Sequence, residues 1–207
     1  MAVAPLSIQP SSEETVALRL PPGVLLSDDQ LFELCRLNKE LRIERTSERD
    51  LVIMPPVGAE SSRRNANVIF QLEKWSLADG TGVVFDSSAG FLLPNGAMRS
   101  PDAAWVRRSR LSELSRDEKE KFLPLCPDFV IELRSPSDAL SAQQHKVEEF
   151  IENGSVLGFL LDPVGRAVYV YRPGETPEVL ERQKTVSADP ILPGFSLQLE
   201  DLWEPRW

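Results

Sequence analysis

The segment Asp128-Phe129-Val130-Ile131-Glu132-Leu133 constrains the fold more than any other part of the chain. Apolar and β-branched residues stand on both sides of a single acid, the pattern of a strand covered on both faces. Ser135, Pro136, Ser137 and Asp138 follow at once, as at the entry to a helix. A strand buried in this way needs a layer above it and a layer below it, so the segment predicts an α/β chain in which this strand is central.

The flanking sequence supplies the other elements. Ser27 is placed to cap a helix over DDQLFELCRLN, with Leu31, Phe32, Leu34 and Cys35 as its apolar stripe. LRIERT and DLVIMPP form a hairpin about SERD that stops at Pro55 and Pro56. From Gly58 to about Ala78, Val68, Ile69, Leu72 and Trp75 recur at helical spacing, and Asp79-Gly80 closes the helix. GVVFD, GFLLP and DAAWVRR are expected as a three-stranded meander, followed by a polar helical stretch over SELSRDEKEKF. A helix with Leu140, Lys146, Val147 and Phe150 ends near Asn153-Gly154, and VLGFLLDP and AVYVYRP make a further strand pair. The last stretch, rich in proline, fits a final hairpin and an irregular tail.

A length of 207 residues suits one domain over 27–200, with a Pro- and Ser-rich arm at 1–26 and a tail at 201–207. The sequence has neither a long apolar span nor a secretory leader pattern, so a cytoplasmic protein with no membrane partner is expected. Cys35 and Cys126 read as reduced core residues and are too few for a zinc site. Neither GxxxxGK[ST] nor GxGxxG occurs, which argues against a nucleotide cofactor. With 23 Lys and Arg against 32 Asp and Glu, the net charge is -9, a balance that repels phosphate backbones unless basic groups are gathered in one place.

Glu132 is the sharpest chemical signal, because a carboxylate among Val130, Ile131 and Leu133 is costly without a partner, and a metal ion is one such partner. Taken alone, Asp102, after Pro101, reads as a turn or capping residue, and Lys146, beside Glu148 and Glu149, as a solvated helix residue; only the constellation raises them. Glu60 is either a helix-start acid favoured by the dipole or an assisting acid. His145 is the single histidine, beside a lysine on a polar helix, and reads as a surface residue. Together, Asp102, Glu132 and Lys146 have the chemistry of a phosphodiester-cutting site, in which two carboxylates hold magnesium near a cation.

SPDAAWVRR, CPDFVIELRSPSD, HKVEEFIENGS and GFLLDPVGRAVYVYRP, in this order and spacing, resemble the Uma family of restriction-endonuclease-like proteins, common in cyanobacteria, within the PD-(D/E)xK nuclease superfamily. The resemblance spans roughly residues 27–200. It implies a restriction-endonuclease-like fold: a central mixed sheet flanked by helices, with an additional N-terminal helix and hairpin. It implies Asp102 and Glu132 as ligands of Mg (or Mn), with the lysine usually two residues after the glutamate moved onto the next helix as Lys146, and Glu60 as the acid of an early helix. Position 134 is arginine instead of lysine, and Ser61 stands where a histidine often follows the early glutamate. Arg134 keeps a positive charge but does not deprotonate, which suits an accessory role on phosphate. The expected function is metal-dependent endonucleolytic hydrolysis of DNA by a homodimer, and the alternative is an inactive scaffold or interaction protein on the same fold.

Overall fold

The computed structural model describes residues 8–10, 16–21 and 23–207. Within the arm expected over 1–26, residues 1–7, 11–15 and 22 lie outside the described residues, while β1 (Ile8–Pro10) and β2 (Val16–Leu18) pair antiparallel. Helix α1 (Asp28–Leu37) begins at a capping box, where the Ser27 side chain accepts from Gln30 N–H and the Gln30 side chain accepts from Ser27 N–H. The expected hairpin forms as β3 (Arg42–Arg45) and β4 (Leu51–Met54). Helix α2 (Ala59–Asp79) follows and ends at Gly80, whose φ of 74° is a left-handed conformation open to glycine without penalty.

The chain then continues through β5 (Gly82–Asp86), β6 (Phe91–Leu92), β7 (Met98–Arg99) and β8 (Ala103–Arg107). The expected meander does not form: β5 pairs with β8, whereas β6 pairs with β7 in a different sheet. The cause lies in GFLL, both of whose faces are covered. Phe91 enters the core beneath the main sheet, and Leu92 packs on the core of the N-terminal sheet. The polar stretch expected as one helix is two short ones, α3 (Arg108–Ser112) and α4 (Arg116–Lys119), the second started by a capping box at Ser115.

Next come β9 (Phe129–Leu133), α5 (Leu140–Glu152), β10 (Leu157–Asp162), β11 (Ala167–Tyr171) and β12 (Glu178–Glu181), then the closing hairpin β13 (Thr185–Ser187) and β14 (Ser196–Gln198), and finally α6 (Glu200–Trp203). The main sheet has the order β12-β11-β10-β9-β8-β5 and is mixed, because β9 and β10 run parallel while every other pair is antiparallel. Parallel neighbours need a crossover, which α5 provides. The N-terminal sheet has the order β1-β2-β4-β3-β7-β6.

Alternation along β9 assigns its two faces. Phe129, Ile131 and Leu133 meet Val68 and Leu72 of α2 and the residues of the closing hairpin. Val130 points the other way, to Val147 and Phe150 of α5. Glu132 shares that second face, so the strand directs its acid towards α5. Gly158 on β10 lets the helix settle closely, since a Cβ there would lie 2.6 Å from Val147 Cγ1. Lys146, next to Val147, is thereby brought down to the end of β9.

Candidate active site

One step past the pair Ala103–Ile131, the β8–β9 register sets Asp102 opposite Glu132. Pro101 ends the preceding segment, and the Asp102 side chain takes over where the ladder stops: its Oδ2 accepts from Leu133 N–H at 2.9 Å. Two carboxylates in adjacent cross-strand positions repel each other, an arrangement that destabilises a sheet unless a cation answers it.

Lys146 is that cation. Its Nζ lies 2.9 Å from Glu132 Oε1 and 3.1 Å from Glu44 Oε1, and donates to the Ser100 carbonyl at 3.4 Å. Glu44, on β3 of the N-terminal sheet, also accepts from Ser100 N–H at 3.0 Å and pairs with Arg99 at 3.2 Å. Arg99 in turn pairs with Glu149 of α5 at 2.6 Å. Two sheets and a helix therefore meet in one set of charges.

Burial sets the protonation of these groups. Glu132, only 2% exposed, is pushed up to about 8 by burial, against the pull of Lys146 and with Asp102 and Glu44 adding to the rise. Burial also raises Asp102, despite Lys146 and the Leu133 N–H. Glu44 goes the other way: burial opposes its charge, but Lys146, Arg99 and the Ser100 N–H outweigh it and hold the acid below its usual range. Lys146 is raised well above a usual lysine, because Glu132, Glu44 and Asp102 outweigh its burial. The site thus holds a firmly protonated ammonium and more carboxylate than its cations balance.

These groups form the floor of a cleft of about 1020 Å³, whose walls include the start of α2, the Ser135–Asp138 turn and the outer side of α5. Of the residues expected from sequence, Asp102, Glu132 and Lys146 come together. Glu60 stands on the cleft wall in the first turn of α2, 54% exposed and paired with Arg64 at 2.5 Å. Arg134 is drawn elsewhere: it pairs with Asp162 at 3.0 Å and donates to the Asp138 carbonyl at 2.9 Å, so its fork is engaged in holding the turn after β9. An accessory role for Arg134 on phosphate would require that fork to be released from Asp162 and Asp138. Sequence reading missed Glu44 and Arg99. RIER reads as a half-solvated strand, and the one available signal was the position of an acid among residues that alternate towards a core.

Among the described residues, no three His, Cys, Asp or Glu side chains form a metal cage. The donor set still fits a magnesium-type ion, which commonly takes one or two carboxylates and keeps several waters. Glu132 Oε1 supports this fit: it is buried, and although Lys146 is near, no hydrogen bond is aligned on it.

The family described as “Putative restriction endonuclease”, Uma2, matches residues 28–200, a span that contains Glu44, Asp102, Glu132 and Lys146. The chain belongs to the Uma2 family. No curated protein matches this Uma2 chain. It is similar to a solved structure described as “a putative nuclease belonging to DUF820 from Anabaena variabilis ATCC 29413”, with 18% identity, a TM-score of 0.67, and coverage of 78% of this chain and 89% of the other. The fold is thereby the α/β, restriction-endonuclease-like one expected from the sequence. As in any fold with many uses, chemistry must be argued from the site. No helix among the described residues of this Uma2 protein is long and apolar enough to cross a membrane.

Proposed function

We propose that the protein is a metal-dependent nuclease that hydrolyses phosphodiester bonds in DNA, with Asp102 and Glu132 holding Mg (or Mn). The observation that carries this reading is the pair of facing carboxylates at the floor of an open cleft, with a half-buried ammonium between Glu132 and Glu44. Family membership adds the reaction class.

When bound, the ion would supply Lewis-acid polarisation of a phosphate and a lowered pKa for its water. Asp102 and Glu132 supply hard oxygen ligands, held in place by the β8–β9 ladder and the Leu133 N–H. Lys146 holds Glu132 and Glu44 in place and keeps a fixed positive charge at the floor of the cleft, since its three acidic neighbours keep its proton on and its ion pairs leave it no free donor face for a phosphate. Glu44 fixes the position of that ammonium, while Arg99 ties Glu44 to Glu149 of α5. Cutting both strands of a duplex with one site per chain calls for two copies, so a symmetric homodimer is part of the proposal.

The test is calorimetry of magnesium or manganese binding, coupled to cleavage of supercoiled plasmid, for the parent, Asp102→Ala and Glu132→Ala. Loss of binding and cleavage in both variants is expected. A Glu132→Ala protein that cuts as fast as the parent sinks the assignment. The net charge of -9 favours a second reading, an interaction protein that keeps the fold without activity. A parent that binds neither metal, alone or with DNA, would select that reading.

A further inference from the structure

A substrate phosphate approaching this site must find a cation whose hydrogen bonds are not already taken. Most basic groups of the cleft fail that condition. Arg64 is held by Glu60 and by the Leu202 carbonyl at 2.6 Å, Arg99 by Glu44 and Glu149, and Lys146 by ion pairs with Glu132 and Glu44 and by the Ser100 carbonyl. His145 is exposed on the wall and has no planar fork of donors to offer a phosphate.

Arg42 differs from all of them. It lines the cleft from β3, two residues before Glu44 and so on the same face of the strand. Its backbone is fixed opposite Met54 in the β3–β4 ladder, and its side chain is half-buried. Among the described residues, no acid or carbonyl pairs with its guanidinium. It is nevertheless near enough for its charge to be felt at Asp102. A half-buried guanidinium with no partner of its own near Asp102 offers a free planar fork of donors suited to phosphate oxygens.

We propose that Arg42 is the substrate-binding residue of the cleft, donating to the non-bridging oxygens of a nucleic-acid phosphodiester next to the Asp102–Glu132 pair. This inference rests on the nuclease reading for its choice of ligand. It places one unpaired cation at the point of contact in a chain whose net charge of -9 otherwise repels a polyanion.

The experiment measures the affinity of a short DNA duplex, with calcium replacing magnesium, over a series of salt concentrations for the parent, Arg42→Gln and Arg42→Lys. Matched circular dichroism and melting curves establish that the variants fold. Arg42→Gln should bind about tenfold more weakly, and its slope of log affinity against log salt should fall by about 1, the signature of one lost phosphate contact. Arg42→Lys should recover the slope but only part of the affinity, since the ammonium keeps the charge without the fork. Equal affinity and slope in the parent and Arg42→Gln overturn the inference, as does a parent that binds no duplex. Inorganic phosphate that competes as well as an equal concentration of duplex phosphate would also overturn it, by assigning Arg42 to free phosphate. The nuclease reading is judged separately: Arg42-dependent binding without any cleavage in magnesium would leave this inference standing and remove that one.

Discussion

Two buried acids, Asp128 and Glu132, stand at opposite ends of β9 and have opposite surroundings. Asp128 is 3% exposed and fully engaged: Arg107 N–H donates to its Oδ2 at 2.9 Å, and the Arg110 and Arg107 guanidinium groups lie at 3.1 and 3.7 Å. Glu132 is equally buried, but one oxygen has no aligned donor, its single ion pair is shared with Glu44, and a second acid faces it across the ladder. The same strand therefore carries one carboxylate whose needs the protein meets and one whose needs it leaves open. A satisfied buried acid holds structure together, and an unsatisfied one is a place for something to bind.

Three measurements can break or sharpen this contrast. The largest effect is expected from Glu132→Gln, which keeps the shape of the side chain and removes its charge. Plasmid cleavage in magnesium should fall by about 10³-fold, while the metal-free protein at pH 8 melts no lower than the parent. A variant that unfolds more easily would make Glu132 a structural acid like Asp128.

A second effect is expected from pH. The folded protein raises Glu132 from 4.5 to about 8, so between these values the unfolded chain has lost a proton that the folded one retains. The resulting contribution to stability is complete below about pH 4.5 and is lost as pH rises through 8. Melting of the metal-free parent should fall across this window, Glu132→Gln should show a flatter profile, and magnesium should restore the parent more at pH 8 than at pH 5. A flat profile for the parent would show that Lys146 alone satisfies the acid.

The smallest effect concerns the other end of the strand. Asp128→Asn should destabilise the fold by about 2 kcal/mol in urea titrations, through lost charge-assisted hydrogen bonds, with metal affinity unchanged. A change in metal affinity would mean that the two ends of β9 are coupled.

The contrast was half legible in the sequence. Glu132 stood out because DFVIEL is apolar on both sides, and the same run fixed the central strand and the helix after it. Lys146 gained meaning only from its company, since HKVEE alone is an ordinary exposed helix pattern. Glu44 could not be recognised, because its partners are Ser100, Arg99 and Lys146, and no local rule connects RIER with residues so far along the chain. The meander failed for the same reason: the sheet that GFLL joins is decided by what covers its two faces, and that is a tertiary fact.

The link between Glu44 and Lys146 joins an early strand to a late helix, and this has a kinetic meaning. Contacts between segments distant in sequence require large loops to close, so they form late in folding. During synthesis, no growing chain has its central ammonium in place until α5 has emerged and docked on both sheets. Any local opening that lifts β3 away releases the same ammonium, so hydrogen exchange at β3 and loss of the cleft-floor geometry should report a single event.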